Sequence, residues 1–412
     1  MVKSSSNNPN LSQDEPTALL NGLASRIRGI RGGRTSPAVE LMRLAAEHPG
    51  TIRLARGEPD IPTPSHIIAA AHAALDGGKT TYTDPAGLPE LREAIARYIE
   101  PSGLHYDPSS EIIVTAGGQE AMALALQTLL DPGDEVILPV PTYSSYEANV
   151  LMAGGQPRWV ETHLEDNFAI SPAQIEAAIT ARTKLLAIVS PNNPTATVLT
   201  PTQLQAIAAV AIRRNLLVLS DELYSKIMYD GAEHLSIASL PGMRARTLTI
   251  NGFSKTFSMT GFRVGYLLGP SDYMLAALEP RHSLSISTPT ISQHAALAAL
   301  SGPQDFIADM IEQYTKRRNR MARTFDEIGV PYTMPKAGFY FFADIRATKM
   351  SSLDFCRRGI SDYGLWFSPG SSFGQGAEGF VRISFLAPED VLDEGLTRFA
   401  RLYTDSCGLA PV

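Results

Sequence analysis

Cysteine is almost absent from this chain of 412 residues: Cys356 and Cys407 stand alone and far apart. That spacing offers neither a metal-ligand pattern nor a disulfide framework, and both are read as inert thiols in a reducing compartment. Long hydrophobic runs are missing as well. No stretch approaches the roughly 18 apolar residues of a membrane span. The N-terminus lacks the apolar core of an export signal, which makes the cytoplasm the expected location. Neither sign of charge dominates. Against 42 acidic residues stand 35 basic ones, a net charge of −7, and no basic face marks a nucleic-acid partner. Internal repeats are lacking too. What is there is an ordinary globular composition, 44% hydrophobic and 19% charged. The chain is too long for one core, so two domains are expected.

The first twenty or so residues, rich in Ser, Asn and Pro, read as a disordered tail. Arg26, Arg28, Arg31 and Arg34 follow as a short basic cluster, read as a solvated linker that completes a segment 1–35. From about residue 65 to residue 300, helical patterns alternate with short apolar runs. That alternation is the signature of a mostly parallel sheet wrapped by helices. Residues 293–328 read as long helical segments broken near Gly302-Pro303. Beyond them, Phe339-Tyr-Phe-Phe-Ala343 and Phe380-Val-Arg-Ile-Ser-Phe385 read as alternating strands of a second domain. The division expected is a large domain over 60–300 and a small one from 36–59 and 301–412.

Chemistry concentrates where apolar runs end. Thr247-Leu-Thr-Ile250 reads as a strand that breaks at Asn251-Gly252, with Ser254 and Lys255 next and Arg263 eight residues on. A lysine just past a strand end suits a Schiff base with an aldehyde cofactor. The hydroxyl and the guanidinium fork suit its phosphate. Leu216-Leu-Val-Leu-Ser220 reads as a buried strand running into Asp221-Glu-Leu-Tyr224. A carboxylate at the carboxyl end of a strand sits where ligands bind in open α/β sheets. Leu185-Leu-Ala-Ile-Val189 runs into Ser190-Pro-Asn-Asn-Pro-Thr195, whose prolines exclude helix and leave Asn193 as a fixed amide donor. Glu111-Ile-Ile-Val-Thr115 precedes Gly117, Gly118 and Gln119 and then a helical pattern. A glycine pair opening a helix offers backbone N–H groups to a phosphate, and serves a tight turn equally well.

In this order and spacing the motifs resemble the class I/II aminotransferases, fold-type-I enzymes that use pyridoxal 5'-phosphate, in the branch of bacterial aspartate-like aminotransferases. The resemblance runs from about residue 36 to residue 403. It implies an α/β fold: a large domain with a mostly parallel seven-stranded sheet wrapped by helices, plus a smaller α+β domain. It also implies transfer of an amino group from an L-amino acid to a 2-oxo acid by a ping-pong mechanism, with the cofactor held as an imine on Lys255. Asp221 then pairs with the ring nitrogen, and Asn193 and Tyr224 with the ring oxygen. Gly117, Gly118, Gln119, Ser254 and Arg263 surround the phosphate, and Tyr143 stacks on the ring. Tyr82 matches a tyrosine that reaches the phosphate of a neighbouring subunit, which implies a homodimer with shared active sites. Arg382 and Gly57 match positions that meet the substrate carboxylate. No metal is implied.

Two departures from the family pattern bear on the substrate. Asn-Pro-Thr-Gly is here Asn193-Pro-Thr-Ala196, so the turn is expected to be one that alanine adopts. Relatives that use aspartate or prephenate often carry a lysine after the glycine pair, where this chain has Gln119. Nothing obvious then offsets a second carboxylate, and neutral, aromatic or basic donors stay open, Glu120 or Glu147 being candidates to face a cation. Elimination, cyclisation or decarboxylation on the same fold uses the same lysine, aspartate and arginine. A pyridoxal-phosphate-binding sensor would need a DNA-binding module, and the residues ahead of residue 36 are too few and too polar for one.

Overall fold

The computed structural model describes residues 24, 26, 27 and 36–408. The expected tail, and Arg28, Arg31 and Arg34 of the basic cluster, lie outside the described residues.

A seven-stranded sheet organises the larger body. Its strands are β2 (Ile112–Thr115), β3 (Glu135–Val140), β4 (Gln156–Glu161), β5 (Thr183–Val189), β6 (Leu217–Asp221), β7 (Thr247–Gly252) and β8 (Gly265–Leu268), in the order β2-β8-β7-β6-β5-β3-β4. Only β8 runs against its neighbours; β7-β6-β5-β3-β4 is parallel throughout. Parallel strands are covered on both faces, which is why β3, β5 and β6 read as continuous apolar runs rather than alternating ones.

One face of the sheet packs Leu185, Leu219 and Ile250 against α4 (Gly118–Leu129), α5 (Ser145–Met152) and α8 (Ser271–Leu284). The other packs Leu186, Val218 and Ile188 against α6 (Pro172–Ala178) and α7 (Pro201–Arg213). Helices α2 (Ser65–Asp76), α3 (Pro89–Ile99) and α9 (Thr290–Ser301) bury Ile67, Leu91, Ile95 and Ala295 over β2 and β8. The start of α7 is legible in sequence: Thr200 and Gln203 form a reciprocal capping box ahead of Pro201, which satisfies N–H groups the helix cannot pair internally.

Strand β7 runs two residues further than its sequence pattern indicates. Asn251 and Gly252 do not break it, because they pair with Tyr266 and Gly265 of β8. The two glycines allow that approach: a Cβ on Gly252 would lie 2.9 Å from Gly265 Cα.

A second core gathers Leu41, Leu54, Phe325, Phe341, Phe355, Val381 and Phe399. It includes α1 (Pro37–Glu47), β1 (Ile52–Arg53), α11 (Ser352–Tyr363) and α12 (Glu389–Cys407) around the three-stranded sheet β11 (Ser368–Pro369)-β12 (Phe380–Ser384)-β9 (Tyr340–Asp344). β1 pairs in parallel with β10 (Leu365–Trp366), and Leu41, Ala45 and Leu54 pack into this core. The long helix α10 (Asp305–Ile328) joins the bodies. Its first turn packs Phe306 and Ile307 on the sheet body, and Met310, Met321 and Phe325 enter the second core. The expected alternation in β9 and β12 is not found. All five residues of each strand are buried, since α-helices cover one side and the aromatic group Phe168, Phe342, Phe373 and Phe380 the other.

Among the described residues no helix is long and apolar enough to cross a membrane, and no group of acidic, histidine or cysteine side chains is arranged to hold a metal. Cys356 is buried, which pushes its thiol far above the usual range.

Candidate active site

The carboxyl ends of β5, β6 and β7 open on one side of the sheet, beside the start of α4. A cavity of about 310 Å³ there is lined by Gly57, Gly118, Gln119, Tyr143, Asn193, Asp221, Tyr224, Ser254, Lys255, Arg263 and Arg382, together with Met122, Val189, Leu223 and Tyr340. Residues separated by more than 300 positions thus converge at the end of one sheet.

After β5, the Asn192 carboxamide accepts from Thr195 N (3.1 Å) and Thr195 Oγ1 (3.0 Å), which shapes the turn that presents Asn193. Ala196 closes that turn at φ +56°, in the left-handed region. The expectation of a turn easy for alanine is therefore corrected: a fully buried alanine holds a conformation that favours glycine. At the end of β6, Asp221 is 4% exposed. Its Oδ2 accepts from Tyr146 Oη (3.0 Å) and its Oδ1 from Leu223 N (3.2 Å). Burial pushes its carboxyl up to about 6, against the pull of those two donors.

Lys255 follows β7, and its Nζ donates to Gly57 O at 2.5 Å. Burial, and then the Arg382 charge, bring its amine down to about 8; Arg263 adds to the fall while Glu58 and Asp221 oppose it. Arg263 donates to Ala116 O (3.3 Å) and Thr260 O (3.2 Å). Its guanidinium lies where a side chain on Gly117 would be: a Cβ there would meet Arg263 Nη2 at 2.7 Å, and Gly117 has φ +83°. Gly117 is thus fixed as glycine by backbone and by space, although it does not itself line the cavity.

Arg382 projects from β12 on the opposite side from Val381 and Ile383. Its Nη1 donates to Asn193 Oδ1 (3.0 Å) and its Nη2 to Ala55 O (3.2 Å) and Ser368 Oγ (3.4 Å). The rings of Tyr340 and Phe373 flank the guanidinium at 4.2 and 5.0 Å. Its Nε is buried without a partner. A buried charged donor left unpaired is costly, and a ligand carboxylate would satisfy it only by lying side-on against Nε and the neighbouring Nη. Tyr224 Oη lies 3.3 Å from Tyr340 Oη, and burial holds the Tyr224 phenol far above its usual range.

Gln119 donates to Tyr143 Oη (3.2 Å) and Ser145 Oγ (2.8 Å), tying the loop after β3 to α4. Glu120 is turned away from the cavity: it accepts from Ala116 N at 2.5 Å and from the Ser285 hydroxyl, and so is removed as a partner for a substrate cation. Glu147 lies in an adjoining cleft with Trp159 and Phe373, separated from the cavity by Tyr143. Tyr82 is 77% exposed and outside the cavity. Tyr146 and Tyr340, with the apolar Met122, Val189 and Leu223, escape the sequence reading. Tyr146, three residues past Tyr143, carried its only hint in that helical spacing; Tyr340 is hidden in a run of aromatics.

Residues 49–399 match the family model described as Aminotransferase class I and II. This chain is a class I and II aminotransferase. It is 39% identical over 367 residues to "Aromatic-amino-acid aminotransferase 2" of Thermococcus litoralis, covering 88% of this chain and 94% of that protein. It is also 39% identical over 389 residues to "Aspartate aminotransferase" of Geobacillus stearothermophilus, covering 92% and 98%. Among solved structures, an aromatic aminotransferase from Pyrococcus horikoshii superposes with a TM-score of 0.85 at 38% identity, covering 89% of this chain and 99% of that one. The aminotransferase thus has the fold-type-I architecture expected from its motifs.

The residues of this aminotransferase's cavity suit pyridoxal phosphate. The start of α4, Ser254 and Arg263 would offer donors to its phosphate. The buried Asp221 carboxylate would hold a proton for its ring nitrogen, and Lys255, its pKa depressed, would supply the amine for its aldehyde. The volume lies at the lower end of the range for small-molecule sites.

Proposed function

We propose that this aminotransferase holds pyridoxal phosphate on Lys255 and moves the amino group of an L-amino acid to a 2-oxo acid in two half-reactions. The observation that carries the proposal is the convergence of Asp221, Lys255, Arg263 and Arg382 in one cavity at the ends of three parallel strands. When bound, the cofactor supplies an aldehyde carbon for the amino group and a ring that withdraws electrons from the substrate Cα. The residues do the rest. Asp221, with Tyr146 behind it, holds a proton at the ring nitrogen. Asn193 and Tyr224 orient the ring oxygen, and Tyr143 covers the ring face.

Gly118, Gln119, Ser254 and Arg263, with Gly117 at the turn, hold the phosphate. Arg382 and Gly57 fix the α-carboxylate and so aim the Cα–H bond at Lys255. With its amine near neutrality, Lys255 Nζ takes the proton from Cα of the donor and returns one to Cα of the amino acid formed. The donor leaves as a 2-oxo acid before the acceptor enters, which gives ping-pong kinetics. Among the described residues lining the cavity the cations are Lys255, Arg263 and Arg382, all committed. A neutral side chain is therefore the favoured donor, because a second carboxylate finds only the Gln119 amide.

The proposal extends to a cytoplasmic homodimer in which exposed Tyr82 completes the neighbouring site, and to a large domain (60–300) paired with a small one (36–59 and 301–412). Lys255→Ala tests the core of it. With phenylalanine and pyruvate, an acceptor with a single carboxylate, product formation is expected to vanish while the fold, followed by circular dichroism, persists. Turnover retained in that variant would overturn the assignment.

A further inference from the structure

We infer that Glu222 is a positioning residue for Asp221: a buried carboxylate held behind β6 by Ser220, Ser236 and His234, which strengthens the hold of Asp221 on the proton at the cofactor's ring nitrogen. The inference rests on the pyridoxal-phosphate reading above.

Asp221 and Glu222 are consecutive carboxylates at the end of β6, and the alternation of an extended chain sends them to opposite sides. Asp221 enters the cavity. Glu222 anchors its backbone by donating N–H to Ile250 O of β7 (2.9 Å), and its side chain turns into a closed polar pocket where it is 3% exposed. Oε1 accepts from Ser220 Oγ (2.8 Å) and Ser236 Oγ (2.7 Å), and Oε2 faces His234 Nε2 at 3.0 Å.

Two hydroxyls thus donate to one carboxylate oxygen, and a histidine ring nitrogen lies within hydrogen-bond distance of the other. Among the described residues His234 is the one basic side chain within ion-pair distance of it. Tyr106 also feels this charge, and burial followed by Glu222 pushes its phenol above the usual range. Arg244, stacked on the Tyr106 ring at 4.9 Å, is already paired with Glu111 at 2.5 Å. Around this pocket Tyr106 Oη, Thr249 Oγ1 and His234 Nδ1 are buried without partners. The pocket therefore holds more polar groups than packing requires.

On the cavity side, the groups facing Asp221 are Tyr146 and Lys255, with the Leu223 N–H; Glu222 is the one whose negative charge opposes its ionisation. An anion behind Asp221 raises the proton affinity of whatever shares a proton with it. That is what the ring nitrogen needs in order to stay protonated.

The test uses equilibrium binding to the cofactor-free full-length protein, with two probes: pyridoxal phosphate and its deaza analogue, which has carbon in place of the ring nitrogen. Glu222→Gln is expected to weaken pyridoxal phosphate by about tenfold, the factor that corresponds to one pKa unit, and to leave the analogue unchanged. In an Asp221→Ala background the same substitution is expected to change neither affinity. An equal loss for both probes would reduce Glu222 to a structural part and overturn the inference, as would no loss for either. Should Glu222→Gln fail to fold, Glu222→Met removes the charge with a side chain of similar length and is read in the same way. Failure of the parent protein to bind either probe would overturn the cofactor reading itself, an outcome distinct from equal loss in the variant.

Discussion

Replacing Lys255 is expected to make the cofactor-free protein more stable. The fall of the Lys255 amine from 10.5 to about 8 means that, below pH 8, folding weakens the hold on that proton by roughly 3 kcal/mol. The unfolded chain binds more protons between about pH 8 and 10.5, so stability rises with pH through that window and the penalty is complete beneath it. Lys255→Met keeps an unbranched chain and removes the charge. It also removes the donor to Gly57 O, a loss of about 1 kcal/mol. The net expectation is a variant more stable than its parent by about 2 kcal/mol at neutral pH, with the difference vanishing and then reversing as pH passes 10. Urea unfolding of both proteins without cofactor, repeated across that pH range, measures it. A variant midpoint at or below the parent's at neutral pH would refute the reasoning, and so would a gap that ignores pH.

Arg382→Ala is expected to lower kcat/KM on the order of 10²-fold for every amino acid, mostly through KM, since charged hydrogen bonds are worth about 1.5–3 kcal/mol each. Steady-state kinetics with several donors checks this, and a loss confined to one donor would move the arginine to the side-chain pocket. Tyr146→Phe deletes the hydroxyl that donates to Asp221 Oδ2, so the Asp221 carboxyl should rise above its value of about 6. Infrared titration of the cofactor-free protein, with Asp221→Asn as the blank, reads that midpoint, and a fall would contradict the reading of Tyr146 as a donor that stabilises the Asp221 carboxylate.

The strand ends were legible because buried parallel strands are apolar runs, and a polar residue where such a run stops has few other reasons to be there. Asp221, Asn193 and Lys255 were all placed that way. What sequence alone misplaced depends on partners far along the chain. Asn251-Gly252 looks like a break until β8 arrives to pair with it. The residues of β9 and β12 look half-exposed until the Phe168 and Phe373 rings cover them. Ala196 reads as an easy turn because local sequence gives no φ, and tertiary packing imposes +56°. Tyr146 was missed for a related reason: a helical tyrosine is ordinarily core, and only the approach of β6 makes it a donor to Asp221.

Charge in the cavity argues for the kind of donor. Lys255, Arg263 and Arg382 face one carboxylate, Asp221, among the described lining residues. A phosphate dianion and one substrate carboxylate bring that set close to neutrality. A second substrate carboxylate adds an anion with no cation left to meet it, and the side chain nearest the glycine pair, Gln119, already spends its amide hydrogens on Tyr143 and Ser145. Desolvating an unpaired carboxylate costs several kcal/mol, whereas a phenyl group finds Met122, Val189, Leu223 and Tyr340 in the lining of the same cavity. Phenylalanine is therefore expected to exceed aspartate in kcat/KM by about tenfold or more, the factor corresponding to 1.4 kcal/mol. Gln119→Lys is expected to narrow that ratio by improving aspartate. Competition kinetics with both donors in one reaction measures it directly. A parent enzyme that prefers aspartate, or a lysine variant with an unchanged ratio, would show that a cation outside this lining set governs the choice.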